Sequence, residues 1–258
     1  MRLAAAAAAG ILACTLAAGA AADESVVVPT RPGITVALTL VSAAGPPRAA
    51  AVLFPGGTGV ANPARIDKNK NFLVRIRHDL AARGIAVAVV DVPSDKGAGG
   101  IDPNFRASVE AGQDIAAVVA EMKRRASVPV WLVGTSNGSI SAANGAVRVG
   151  PPQVAGAVLT SSVWSGGMSY VPIEKIAVPV LIVHNRNDAC PAANFAGAEL
   201  GLARLADAPA KELVPVSSTA SESQPCEALA PHGYLGIEAQ VVGIVADWML
   251  AHAPPVRQ

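Results

Sequence analysis

The chain has 258 residues, with 20 Lys and Arg against 19 Asp and Glu and a formal net charge of +1. That balance argues against nucleic acid or an anionic membrane surface as the main partner, since both recruit a marked excess of basic charge. Hydrophobic residues make up 52% of the chain and aromatics only 3%, enough for one large core built chiefly of Ala and Val.

In chain order, the first pattern is a targeting one. Arg2 precedes an apolar, Ala-rich stretch from Leu3 to Leu16, and Ala20-Ala21-Ala22 offers a small-residue cleavage site before Asp23-Glu24. This predicts a secretory signal peptide over residues 1–22, too short and too weakly apolar for stable membrane insertion. The expected product is one domain over residues 23–258, secreted or periplasmic. Ile11-Leu12-Ala13-Cys14 resembles a lipoprotein signal, so lipidation at Cys14 is the second reading. Two cysteines then remain, Cys190 and Cys226. An even count in an exported chain predicts a disulfide, with two buried thiols as the alternative. Two thiols fall short of the four ligands of a structural zinc site, and neither metal nor cofactor is expected.

The β-rich runs between Ser25 and Val41 predict one or two opening strands. Ala49 to Phe54 is wholly apolar, as in a strand buried on both faces. Pro55-Gly56-Gly57-Thr58-Gly59 ends it. A helix is expected over residues 71–83, a strand over 85–90, a loop over 91–104 and a helix over 107–126. Strands over 128–133, 154–160, 178–183 and 212–216 alternate with helices over 139–149, 192–206 and 237–251. Alternation after an opening hairpin implies an α/β fold with a mostly parallel twisted sheet and helices on both faces. The short gap between the strands at Val154 and Val178 leaves no room for a lid domain.

The chemical signal is Gly134-Thr135-Ser136-Asn137-Gly138. A buried strand precedes this G-x-S-x-G motif and a helix start follows it, the setting of a nucleophile elbow. A serine hydroxyl needs a base to become a nucleophile. Of the four histidines, His232 lies before the last helix and fits the chain order Ser, acid, His. His78 and His252 read as surface residues, and His184 as structural support for the acid loop. Asp188 follows the strand ending at Val183 and is the candidate acid, with a helix N-cap as its alternative role. The oxyanion hole needs two backbone N–H groups; Asn137 and Gly57 are the candidates, with Thr58 next. The Gly57 loop matches neither the dinucleotide fingerprint nor the Walker A pattern. Arg106 is read either as a receiver of a substrate carboxylate or, by preference, as an ion-pair partner of Asp91 or Asp95. Trp164 is assigned to an acyl pocket or to the core.

Taken together, Pro55-Gly56-Gly57-Thr58-Gly59, the elbow, Asn187-Asp188 and His232-Gly233-Tyr234 before a final helix resemble the α/β-hydrolase superfamily over nearly all of residues 23–258. The chain looks like the small lidless members, similar in size to dienelactone hydrolases but with Ser in place of Cys as nucleophile. The resemblance implies a serine hydrolase with the triad Ser136, Asp188 and His232, acting on a small-molecule ester through an acyl-enzyme. A peptidase or thioesterase with the same triad, or a non-catalytic binding protein on the same fold, are the alternatives. A bridge between Cys190 and Cys226 would tie the acid loop to the His loop.

Overall fold

The computed structural model describes residues 23–254, so the expected signal peptide and Cys14 lie outside the described residues. Strands β1 (Asp23–Pro29) and β2 (Thr35–Val41) form the antiparallel opening hairpin. Then come β3 (Ala49–Phe54), the short helices α1 (Phe72–Arg75) and α2 (Arg77–Ala82), β4 (Ile85–Pro93), and helices α3 (Pro103–Arg106) and α4 (Val109–Ala126). The second half contains β5 (Val130–Thr135), α5 (Gly138–Arg148), β6 (Gly156–Thr160), β7 (Val180–Asn185), α6 (Phe195–Arg204), β8 (Lys211–Val216) and α7 (Glu238–Ala251).

The eight strands form one sheet in the order β1-β2-β4-β3-β5-β6-β7-β8. β2 pairs antiparallel with β4, and from β4 to β8 all pairing is parallel. Every residue of β3, β5, β6 and β7 is buried. Their continuous apolar runs follow from this, because a parallel strand covered on both sides has no polar face.

Alternate side chains of each strand feed two cores. Val52, Leu132, Leu159 and Ile182 pack on one face with Ile115, Val118 and Met122 of α4 and Ile140 and Ala143 of α5. Leu53, Val133, Val158 and Leu181 pack on the other with Leu80 of α2 and Val241, Val245 and Met249 of α7. The loops leaving the C-terminal ends of β3, β5, β7 and β8 gather at one edge, where open parallel sheets bind ligands.

Two expected segments differ. The helix expected over residues 71–83 is broken at Ile76 (φ −89°, ψ 3°). Arg75 is drawn to the carbonyls of Ala228 and Gly233 and to Glu238, and Arg77 to Asp23 and Asp67. These long-range contacts outweigh helical continuity. The loop expected over 91–104 is shorter, because β4 continues to Pro93 and α3 starts at Pro103. No lid domain follows β6; residues 161–179 hold two short 3-10 turns, Gly166–Tyr170 and Ile173–Lys175.

Candidate active site

β5 ends at Thr135, α5 begins at Gly138, and Ser136 between them sits in the left-handed region at φ +52°. For a residue with a Cβ this conformation costs on the order of 1–3 kcal/mol, and it persists only where the surroundings enforce it. Here the enforcement is explicit. Ser136 N donates to Thr160 O at the end of β6 (3.0 Å), while Ser136 O accepts from Ser139 N and Ser139 Oγ (2.9 and 2.6 Å). The two glycines of the motif are required by space. A Cβ on Gly134 would overlap the Gly138 carbonyl, and one on Gly138 would overlap the Phe54 carbonyl at the end of β3.

The acid turn leaves β7. Asp188 is buried, its Oδ1 accepts the Cys190 backbone N–H at 2.9 Å, and its Oδ2 lies 2.8 Å from His232 Nδ1. It is not a helix cap; Asn194 caps α6 through Gly197 N. A carboxylate only accepts, so Nδ1 carries the proton and neutral His232 keeps its lone pair on Nε2. That Nε2 is buried without a hydrogen-bond partner among the described residues. His232 and Ser136 line the same cleft, about 310 Å³ in volume, with Gly57, Asn71 and Glu227 also on its wall.

The His loop is pinned from below. His232 lies in a 3-10 turn, Pro231–Gly233, whose exit residue Tyr234 has φ +59°. Tyr234 Oη donates to Val183 O and accepts from Ser161 N, both at 2.7 Å, and Ser161 Oγ donates to His232 O at 2.7 Å. Burial pushes the Tyr234 phenol well above its usual range, so it stays a neutral donor. Asn185 joins three loops: its side chain donates to Ser218 O and Pro231 O and accepts from Asn187 N and Ser218 N. Nothing in the sequence singles out Asn185, Tyr234 or Ser161 for this work, because apart from Asn187 the partners of their side chains lie 33–73 residues away.

His184 is fully buried beside the acid turn. Its Nε2 donates to Ala193 O at 2.7 Å and lies 3.6 Å from Asp188 Oδ2. Desolvation lowers its pKa, which keeps the ring neutral and structural. Cys190 and Cys226 form a disulfide, Cα–Cα 4.6 Å. Cys190 is buried behind the acid turn, whereas Cys226 is exposed on the cleft wall.

Gly57 lies at φ +58° after β3. The backbone N–H groups of Gly57 and Asn137 make no hydrogen bond among the described residues. A Cβ on Gly56 would come within 2.9 Å of Ser136 Cβ, which measures how closely this loop lies against the serine. Arg106 corrects the expectation made for it. It pairs with neither aspartate: Asp91 accepts from Ala61 N and Asn62 N, and Asp95 pairs with Arg31. Nor is it open to a ligand, being 1% exposed beneath the Gly57 loop. Trp164 packs across Gly197 and Gly201 of α6 and with the core, away from the cleft. Among the described residues, no group of three or more His, Cys, Asp and Glu side chains converges as a metal site.

No protein-family model matches the chain, and a comparison with curated sequences finds no match. Solved structures do match. An α/β serine hydrolase homologue from Coxiella burnetii is 16% identical with a TM-score of 0.64, over 88% of this chain and 97% of its own. Est1E from Butyrivibrio proteoclasticus is 16% identical with a TM-score of 0.62, over 88% and 98%. A dienelactone hydrolase from Anabaena variabilis is 15% identical with a TM-score of 0.67, over 91% and 100%. The chain has the α/β-hydrolase fold, in a lidless form.

Proposed function

We propose that the chain is a serine hydrolase that cleaves a small carboxylic ester with Ser136 as nucleophile, His232 as general base and Asp188 as the triad acid. The observation that carries this reading is a single constellation. A serine held at positive φ between a strand and a helix shares a cleft with a histidine whose Nδ1 is bound to a buried aspartate and whose Nε2 has no hydrogen-bond partner among the described residues.

In this mechanism Ser136 Oγ attacks the ester carbonyl while His232 Nε2 takes its proton. The carbonyl oxygen becomes an alkoxide that accepts from the N–H groups of Gly57 and Asn137. Collapse expels the alcohol, which receives the proton from His232, and leaves Ser136 acylated. A water deprotonated by His232 then attacks the acyl group, and collapse of that adduct breaks the Ser136 Oγ–acyl bond, releasing the acid as His232 returns the proton to Ser136 Oγ. Asp188 holds the ring and stabilises the imidazolium. The open cleft of about 310 Å³ supports a small substrate. The disulfide supports export with removal of residues 1–22, since such bridges persist in oxidising compartments.

The test is labelling by a fluorophosphonate together with turnover of a series of p-nitrophenyl esters. The wild type is expected to be labelled and to turn over short-chain esters, and Ser136→Ala to lose both. Equal labelling of wild type and Ser136→Ala would sink the assignment.

A further inference from the structure

Arg106 is a charged residue buried for a purpose that the expected reaction steps do not include. It ends α3, is 1% exposed, and among the described residues no carboxylate lies within ion-pair distance of it. Removing a guanidinium from water without a counter-ion is expensive, so its hydrogen bonds need a compensating role. Burial pushes its pKa down to about 10, and it remains protonated at neutral pH.

Its partners belong to two different elements. Nη2 donates to Pro55 O at 3.1 Å and Gly57 O at 3.2 Å, the carbonyls that flank Gly56. Nη1 donates to Ser141 Oγ at 3.0 Å on α5, the helix that starts directly after Ser136 and Asn137. The Arg106 backbone is tied to the same helix, its carbonyl accepting from Asn144 Nδ2 at 3.0 Å. The Gly57 loop and the start of α5 carry the two N–H groups assigned to the oxyanion.

We propose that Arg106 is the positioning residue of the oxyanion hole, a buried fork that fixes the Gly57 N–H relative to the Asn137 N–H by bonding the loop and the helix at once. Arg106 holds the peptides on either side of the Gly56–Gly57 peptide, whose own carbonyl accepts from Gly59 N at 3.0 Å and whose N–H makes no hydrogen bond among the described residues. A lysine cannot replace it, because an ammonium is a point donor whereas the rigid guanidinium spans both elements. Oxyanion donors act only if they are in place before charge develops, so the effect belongs to the transition state and not to substrate binding.

The inference rests on the proposed serine-hydrolase reading. Its test compares wild type, Arg106→Lys, Arg106→Met and Ser141→Ala with p-nitrophenyl acetate as substrate and phenylboronic acid as the tetrahedral-adduct probe, with rates corrected for folded fraction by thermal melts. Arg106→Lys and Arg106→Met are expected to lower kcat by about 10–100-fold with KM changed less than about 3-fold, and to weaken boronate binding by a similar factor. Ser141→Ala loses one of the three side-chain bonds and is expected to lower both by about 3-fold. Folded Arg106 variants with wild-type kcat and boronate affinity overturn the proposal, as does a rise in KM alone. If neither Arg106 variant folds, an unchanged Ser141→Ala overturns it. A wild type without Ser136-dependent labelling or turnover overturns the hydrolase reading and this proposal together. Ser136-dependent turnover with unaffected Arg106 variants overturns this proposal alone.

Discussion

Asp188 Oδ2 lies 2.8 Å from His232 Nδ1 in a buried contact that spans 44 residues of sequence. The other oxygen of Asp188 is held by the Cys190 backbone N–H, so the carboxylate has one orientation available to it. A fixed carboxylate presets the histidine tautomer, and that is its expected role in the reaction. Asp188→Asn keeps the size but offers an amide that selects the wrong tautomer. Ester kcat is expected to fall by about 10³–10⁴-fold while the protein stays folded. Steady-state kinetics with matched thermal melts check this.

Tyr234→Phe removes one buried oxygen that bonds both the Ser161 N–H and the Val183 carbonyl, two groups that also bond each other at 3.1 Å and so keep one partner. Losing the hydroxyl's bonds while its partners stay paired is expected to cost about 0.5–1.5 kcal/mol. Ser161 also holds the His232 carbonyl, so kcat is expected to fall together with stability. Urea unfolding and ester kinetics on the same variant measure both.

The disulfide closes a loop of sequence separation 36 and joins the acid turn to the cleft wall. Loop-closure entropy for that span implies a stabilisation of about 2–4 kcal/mol. The Cys190→Ala, Cys226→Ala double variant is expected to lose that amount. Cys226 is exposed, so a mild reductant added to the folded wild type is expected to produce the same shift. Equilibrium unfolding with and without reductant is the check, and a wild type insensitive to reductant contradicts it.

His184 gives a pH dependence with a definite sign. Burial lowers its pKa in the folded state, below the value of about 6.5 for an unperturbed histidine. Above that unfolded value neither state binds the proton, and the ring's contribution to stability is fully present. As pH falls below it, the unfolded chain takes up a proton that the folded one refuses. Stability then drops by up to about 1.4 kcal/mol per pH unit until the folded pKa is reached. His184→Gln retains an N–H for Ala193 O and does not titrate. Unfolding curves between pH 7.5 and 5 are expected to show wild type losing more stability than the variant; parallel losses contradict the prediction.

How much of this was legible in the residues differs from element to element. The strand Ala49–Phe54 and the elbow around Ser136 were readable because their signals are local: an unbroken apolar run, and glycines where a Cβ would strike the neighbouring backbone. Asp188 and His232 followed from chain order within a recognised α/β alternation. The break at Ile76 was not readable, because its arginines answer to partners as far as 163 residues away. Arg106 misled for a related reason. From sequence a lone arginine on the binding edge suggests a carboxylate, and only its burial under the Gly57 loop reveals carbonyl partners.

The sequence alone determined the alternation of strands and helices, the serine at the turn and the candidate acid and base, since these depend on periodicity and on the space around a tight turn. The tertiary structure decided which atoms meet: Asp188 Oδ2 with His232 Nδ1, Tyr234 beneath the His loop, and Arg106 between the Gly57 loop and α5. The physical reason is that hydrogen bonds act over about 3 Å, and residues dozens of positions apart reach that distance only when the sheet and its packed helices bring their loops to one edge.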